Sequence, residues 1–246
     1  MDMILLDWTR MGKTYCLAGV VVDDLDVRVV RPLRVQFRDA PVRNVGWSPF
    51  LVDGHQRWEV VELVGAVPAE PQPPHLEDVW VRELRWRGRM VAPKERRRLL
   101  AATATASNGS LFGEVFTATR TGAYLTPGAG ERSLATVVVP ARAVSFGACW
   151  REGAAEPDVR VKLPVPGLGE RALAVKDHHL LLRAAQAEPN LDRQTALLDD
   201  LVRQMGEQVA VRLGLSRSFQ NTDGPASAAA CWLMADGFFS LSDPES

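Results

Sequence analysis

The stretch that decides the fold covers residues 1–33 and reads MDMILLDWTRMGKTYCLAGVVVDDLDVRVVRPL. Apolar runs at Met3–Trp8, Tyr15–Val22 and Val27–Val30 are separated by short polar segments. The second run is rich in β-formers and has a glycine near its centre, which favours a strand. The spacing predicts strand, basic turn, strand, strand. This is the meander that begins a small β-barrel.

The basic turn contains Gly12-Lys13-Thr14, which resembles the end of a phosphate-binding P-loop. A P-loop needs a further glycine five residues before the glycine of that triplet, and this position is Asp7. A P-loop must also open a helix whose N-terminal amides face the phosphates. Because a strand is predicted after Thr14, we expect no nucleotide hydrolase here.

Composition predicts a globular, cytoplasmic protein. The 246 residues are enough for one large domain or two of roughly 120 residues each. No apolar run approaches the roughly twenty residues that span a bilayer, and the N-terminus does not have the pattern of a signal peptide. The three cysteines, Cys16, Cys149 and Cys231, are far apart, which argues against a disulfide framework and a zinc site.

Charge is balanced overall but uneven along the chain. The net charge is −1, yet residues 82–98 hold eight basic residues against Glu83 and Glu95, a local charge of +6. Such a cluster is the electrostatic footprint of a phosphate-binding surface, or else a solvated face with no ligand.

The remaining pattern predicts a mainly β protein with inserted helices, arranged as two OB-like small β-barrels in tandem. The first barrel with its helical insertion is expected at residues 1–130, and the second, with one amphipathic helix, at 131–246. Strands are predicted at 57–64, 111–116, 123–125, 134–139, 143–150, 159–165, 171–176, 209–215 and 231–239. Helices are predicted at 93–103, where proline stands first, and at 191–208, where Asn190 or Asp192 can cap the N-terminus. We expect residues 34–50 to be irregular and residues 75–80 to form a loop or a single helical turn.

The chain resembles the dual OB-fold family of bacterial and phage proteins. The matching segments are ILLDWTRMGKTYCLAG, VVRPL, the strand start at Ser133-Leu134, the strand end Val175-Lys176-Asp177, and the closing VAVRLGLSRSF and CWLMADGFFS. The resemblance implies two five-stranded barrels and a nucleic-acid-binding role, in some cases within bacterial defence systems. It implies no catalytic residues and no cofactor.

The candidate nucleic-acid site lies chiefly in the first half of the chain. An OB barrel binds single strands with a basic groove and stacking aromatic side chains. Trp8 could also offer a stacking face, although Trp8, Trp58 and Trp232 are equally consistent with the core, where strand tryptophans usually lie. The candidate residues are Arg10, Lys13, Arg31, Arg34, Arg38, Arg43, Trp47, Arg85, Arg87, Arg89, Arg96 and Arg97.

A second chemistry would use Asp177-His178-His179, with His75, Glu77 and Asp78 as another group. Adjacent residues on a strand point to opposite faces, so His178 and His179 could not both bind one metal ion there. The sequence gives no indication of nucleophilic catalysis, because it has no GxSxG motif and no cysteine in an evident cationic setting.

The sequence therefore favours a non-enzymatic protein that binds single-stranded DNA or RNA, with no metal and no membrane partner. The first alternative is a protein-interaction or sensor module that binds a protein partner within a multi-component system. The second is a metal-dependent hydrolase or nuclease. Binding that weakens steeply with salt would favour nucleic acid, whereas salt-insensitive capture of a protein would favour the module.

Overall fold

The computed structural model describes residues 1–11, 14–22, 30–37, 55–104, 110–119, 122–150, 157–187, 190–220 and 229–242. At residues 11, 14, 22, 30–34, 36, 37 and 187 this description is limited to the backbone. The protein is mainly β, with curled sheets that include a half-barrel. No helix in the described ranges is long and apolar enough to cross a membrane.

The first sheet contains the meander that the opening stretch predicts. Its strands are β1 (Asp2–Met11), β2 (Thr14–Val22), β3 (Val30–Phe37), β4 (Glu59–Val64), β5 (Val67–Pro68), β6 (Asp78–Val81) and β7 (Glu83–Met90). They lie in the order β5-β6-β3-β2-β1-β4-β7, and only the β3–β6 pair is parallel. β1 pairs with both β2 and β4. The strand after Thr14 confirms that Gly12-Lys13-Thr14 does not open a helix.

The first sheet has a core on each of its two faces, and a β-bulge in β1 changes which side chains enter each core. Met3, Leu5 and Trp8 face the core inside the curl, whereas Ile4 and Leu6 face a second core that they share with Ala210, Phe239 and helix α1 (Pro93–Thr103). The register shifts between Leu5 and Asp7. Strict alternation would place Asp7 on the same face as Leu5. The bulge turns it toward the second sheet instead.

The second sheet has the order β10-β14-β15-β13-β12-β11, in which β13 and β15 are parallel. Its strands are β10 (Leu134–Pro140), β11 (Ser145–Cys149), β12 (Asp158–Val165), β13 (Gly169–Val175), β14 (Gln208–Leu215) and β15 (Cys231–Ser240). One 3₁₀ turn (Ala141–Ala143) joins β10 to β11. A hairpin of β8 (Thr117–Thr119) and β9 (Gly122–Leu125) also pairs with β15. This hairpin, which precedes residue 130, is therefore attached to the second sheet. The domain boundary at residue 130 stays a prediction.

Two helices between β13 and β14 cover the core of the second sheet. They are α2 (His178–Ala187) and α3 (Leu191–Arg203). Leu180, Ala184, Leu198 and Leu201 pack into that core. The side chain of Asn190 accepts a hydrogen bond from the Arg193 amide at 3.1 Å, which confirms the predicted N-cap.

Several predicted boundaries are wrong. β3 continues to Phe37, β6 replaces the predicted loop or helical turn, and β7 has no predicted counterpart. Residues 111–116 form turns instead of a strand, and α3 ends at Arg203, before the predicted residue 208. Helix α2 begins directly after Asp177, because the Asp177 side chain accepts a hydrogen bond from the Leu180 amide at 3.0 Å and satisfies a free helix donor.

Candidate nucleic-acid interface

Strand β7 forms one edge of the first sheet, where it pairs with β4. The register places Leu84 opposite Leu63 and Trp86 opposite Val61, so Leu84 and Trp86 point to the face that carries the inner core. Leu84 packs against that core, but Trp86 stays 57% exposed. Arg85 is opposite Glu62 in the ladder and Arg87 contacts Glu62, so these two exposed arginines point to the other face. The register shifts around Gly88, which has a φ of 68°, and the exposed Arg89 follows this bulge. An exposed aromatic ring therefore lies between arginines on an edge strand.

Carboxylates partly neutralise these arginines. The Nη1 and Nη2 atoms of Arg85 lie 3.5 Å from Glu62 and 3.3 Å from Glu83. Arg87 lies 3.3 Å from both Asp2 and Glu62, and Glu62 thus bridges the two arginines with its two oxygens. Exposed ion pairs of this kind contribute about 0–1 kcal/mol, and a phosphate can displace them. Among the described residues, Arg89 has no ion-pair partner.

Helix α1 adds basic side chains near the end of β7. Arg96 is held by the protein: its Nε donates to the Val91 carbonyl at 3.0 Å, and its guanidinium lies 5.4 Å from the Trp58 ring centroid. Burial lowers the pKa of Arg96. Arg97 and Arg98 are exposed. Arg97 and Arg98 thus lie open to solvent, whereas Arg96 packs against Trp58.

The other predicted contacts are dispersed. Arg10 is half-buried near the end of β1, where its amide donates to the Lys176 carbonyl at 3.1 Å. Arg31 and Arg34 lie on β3, which is described there by its backbone. The predictions for Lys13, Arg38, Arg43 and Trp47 fall outside the described residues. Trp8 on β1 and Trp58 in the turn before β4 are buried in the cores, so Trp8 offers no stacking face.

Asp177 and the two histidines hold the two sheets together instead of forming an open acid–base site. Asp177 is fully buried, accepts from the Phe238 amide at 3.1 Å and lies 2.6 Å from Arg57. The His178 ring contacts Tyr15 at 4.7 Å between centroids, and the His179 ring contacts Trp8 at 4.9 Å. Burial, reinforced by the nearby Arg57 charge, lowers the pKa of His179 to about 4.

The second predicted group, His75, Glu77 and Asp78, also has partners within the protein. His75 Nε2 lies 3.1 Å from the Ser216 carbonyl, Glu77 accepts from Ser133 and Asp78 pairs with Arg217. No three His, Cys, Asp or Glu side chains within the described ranges are placed to hold a metal ion. The described residues therefore assemble no metal site of the kind that a metal-dependent hydrolase would need.

An unpredicted buried ion pair lies between the sheets. Arg212 on β14 approaches Asp7 Oδ2 with Nε at 2.9 Å and Nη2 at 2.8 Å, and donates from Nη1 to Thr136 at 3.1 Å. Gly237 is opposite Arg212 in the ladder, and a Cβ at Gly237 would come within 2.8 Å of Asp7 Oδ1. The sequence signal is one charge inside each of two apolar runs, ILLDW and VAVRLGL.

Trp86 was missed at the sequence level. The pattern Arg85-Trp86-Arg87 was available, but its meaning depends on β7 being a strand at an edge. Comparison of the chain with known protein families, with curated proteins and with solved structures gives no match.

Proposed function

We propose that this protein binds single-stranded nucleic acid, without catalysing a reaction, along β7 and the adjoining end of α1. The observation that carries the proposal is the exposed ring of Trp86 between Arg85, Arg87 and Arg89. Stacking of a base on an aromatic side chain contributes about 1–3 kcal/mol and tolerates any base. Arginine forks bind phosphate oxygens well. A single strand offers both unstacked bases and phosphates, whereas the bases of a duplex are stacked on one another.

The two faces of β7 divide these contacts. Because Trp86 points to the face opposite Arg85 and Arg87, the ligand would cross the edge of the strand, with a base against Trp86 and phosphates toward these arginines. Arg85 to Arg87 spans about 7 Å along the strand, and Arg89 follows the bulge at Gly88. Arg97 and Arg98 would extend the phosphate path onto α1.

The proposed architecture is a pair of OB barrels, and the strand order supports it. In the second sheet β11, β12 and β13 form a meander, β15 runs parallel to β13, and β14 pairs with β15 and β10. If β10 and β11 act as one bent strand, this is the order of a five-stranded Greek-key barrel. The first sheet repeats the elements: β1 pairs with β2 and β4, and β6 is parallel to β3. OB barrels are frequent single-strand binders.

The test is a titration of the full chain with labelled single-stranded DNA, single-stranded RNA and duplex at about 50 and 200 mM salt. We expect binding to single strands that weakens steeply at the higher salt. Trp86→Ala should weaken it by about tenfold to a hundredfold, and Arg89→Gln should reduce the salt slope by about one. Trp150→Ala is the matched control, because Trp150 is 60% exposed and follows β11 in the other sheet. No binding of the wild-type chain at low salt would refute the proposal.

One observation favours a protein partner as the second candidate. Within the described sheet β7 pairs on one side only, and an extended peptide could add to its other side by main-chain hydrogen bonds. Such binding would be less sensitive to salt, because main-chain hydrogen bonds release no counterions.

A further inference from the structure

The second sheet has an outward face that crosses β12, β13, β15 and β9 and is interrupted at Met234, which is buried. Cross-strand partners share a face, and the register pairs Lys162 with Ala172, Arg160 with Ala174, Ala174 with Met234 and Trp232 with Tyr124. Trp232 and Met234 are two residues apart on β15, so they also share this face. The core lies on the opposite side, with Val161, Leu173 and Leu233. We call the outward set, with the neighbouring Phe219, the second face.

One end of the second face is aromatic. The Tyr124 and Trp232 rings are 5.0 Å apart between centroids, and Phe219 lies 6.5 Å from Trp232. Phe219 is 47% exposed, and the other two rings are half-buried. The Trp232 indole nitrogen has no hydrogen-bond partner among the described residues. These rings are held by their neighbours and still present surface to solvent.

The other end of the second face carries two cations, each paired with a carboxylate. Lys162 pairs with Glu170 at 2.7 Å in an exposed contact, and Arg160 pairs with Asp158 at 2.9 Å while donating to the Ala172 carbonyl at 3.3 Å. Ala172 and Ala174 lie between the cations and the aromatic rings, and both are half-exposed. The small side chains leave a shallow floor about two to three strand spacings wide, or about 10–14 Å.

We propose that the second face is a separate binding surface for single-stranded nucleic acid. Bases stack on Tyr124, Trp232 and Phe219, and the phosphates lie toward Lys162 and Arg160. The proposal rests on the proposed function for its ligand class, but it places the contact in the second half of the chain, where the sequence analysis predicts no nucleic-acid contact. A single strand fits because it presents flat bases along one side and phosphates along the other.

Two surfaces on one chain have a consequence for ligand length. A short oligonucleotide reaches one surface, so two of them bind per chain. A long one that reaches both gains avidity, because the second contact becomes intramolecular. Site sizes of about 4–16 nucleotides per OB fold make an oligothymidylate of about eight nucleotides the short probe and one of about thirty the long probe.

The experiment measures the stoichiometry and affinity of both probes at low salt, for the full chain and for Trp232→Ala, Phe219→Ala, Trp86→Ala and the Trp86→Ala/Phe219→Ala pair. We expect two short oligonucleotides per wild-type chain and one per chain in each of the three single variants. The long probe should bind at least about tenfold more weakly to each single variant, and the paired variant should lose the short probe. Phe219→Ala and Lys162→Gln keep the test valid if Trp232→Ala does not fold, because Phe219 and Lys162 are exposed.

The outcomes separate the two proposals. If Phe219→Ala and Trp232→Ala bind both probes as the wild type does while Trp86→Ala loses one oligonucleotide, the second face is not a site and the β7 proposal stands. If Trp86→Ala binds normally while the second-face variants lose one oligonucleotide, the second face stands and the β7 proposal fails. If the wild-type chain binds no oligonucleotide at low salt, both proposals fail.

Discussion

Two groups of arginines in this protein have carboxylate partners, and they differ in burial. Arg212 is 1% exposed and its partner Asp7 is fully buried, whereas Arg85 on β7 is 55% exposed beside Glu62 and Glu83. The distances between charged atoms also differ, at 2.8–2.9 Å in the buried pair and 3.3–3.5 Å in the exposed pairs. The same chemistry therefore gives a permanent link in one place and a displaceable contact in the other.

The difference between the buried and the exposed ion pairs follows from desolvation. A buried charge that loses its partner has no water to replace it, so breaking the pair is costly even where the pair itself adds little stability. An exposed pair is screened, and either partner can exchange for a dissolved ion. The buried pairs also connect distant parts of the chain: Asp7 and Arg212 are 205 residues apart. The buried arginines thus fix one sheet against the other, and the edge arginines are left for a ligand.

The largest effect is expected from Asp7→Ala. Removal of this carboxylate leaves the Arg212 guanidinium buried without its counter-charge, which should lower the free energy of unfolding by about 3–5 kcal/mol. Urea denaturation measures the loss. Asp2→Ala is the matched control on the same strand, since it removes the exposed partner of Arg87 and should cost less than about 1 kcal/mol. Equal losses in the two variants would show that burial does not separate the two groups of arginines.

Asp177→Ala should have the next largest effect, about 2–4 kcal/mol. The carboxylate caps α2, accepts from the Phe238 amide and pairs with Arg57, which keeps some exposure to water. Asn190→Ala is the control, because it removes the exposed cap of α3 and should cost about 1 kcal/mol. The comparison fails if the two cap variants are equally stable in urea.

His179 should make stability depend on pH. Its pKa is lowered to about 4 in the folded chain from an ordinary value of 6.5, chiefly by burial and then by Arg57. The unfolded chain therefore binds the proton first, and the contribution is complete above about pH 6.5 and lost as pH falls toward 4. The loss should be about 1–2 kcal/mol, less than the full shift implies, because the ring is only partly buried.

The difference in unfolding free energy between the wild type and His179→Gln isolates this effect, because the two proteins share all their other ionisable groups. We expect the difference to change between pH 4 and 6.5 and to stay constant above. A difference that is constant over the whole range would mean that His179 has an ordinary pKa in the folded chain.

The elements that the sequence predicted well carry their signal locally. Pro93 starts α1 and the alternating apolar residues of β14 and β15 identify those strands, so their positions are confirmed. β7 was missed although Leu84, Trp86 and Met90 alternate with charged residues in ELRWRGRM, because the excess of arginine is equally typical of a solvated charge run. The short α2 was missed because its start depends on the Asp177 cap and not on periodicity.

The candidate site was predictable only in part. The charge cluster at 82–98 located the basic surface, but the pattern could not tell Arg96, which packs against Trp58, from Arg85, Arg87 and Arg97, which are exposed. That distinction depends on tertiary contacts. The pairing of Asp7 with Arg212 depends on a bulge and on the packing of one sheet against the other, neither of which appears in a local pattern.

The smallest change in stability, and an increase in binding, is expected from Glu62→Gln. Glu62 bridges Arg85 and Arg87 with its two oxygens, so it competes with a phosphate for both of them. Its loss should change the free energy of unfolding by less than about 1 kcal/mol. Affinity for a single-stranded oligonucleotide should rise by about threefold to tenfold at low salt, with a steeper salt dependence. Glu207→Gln is the matched control, because it changes the net charge equally at an exposed position before β14. If both variants raise the affinity equally, the net charge alone is responsible, and the edge arginines are not the phosphate contacts.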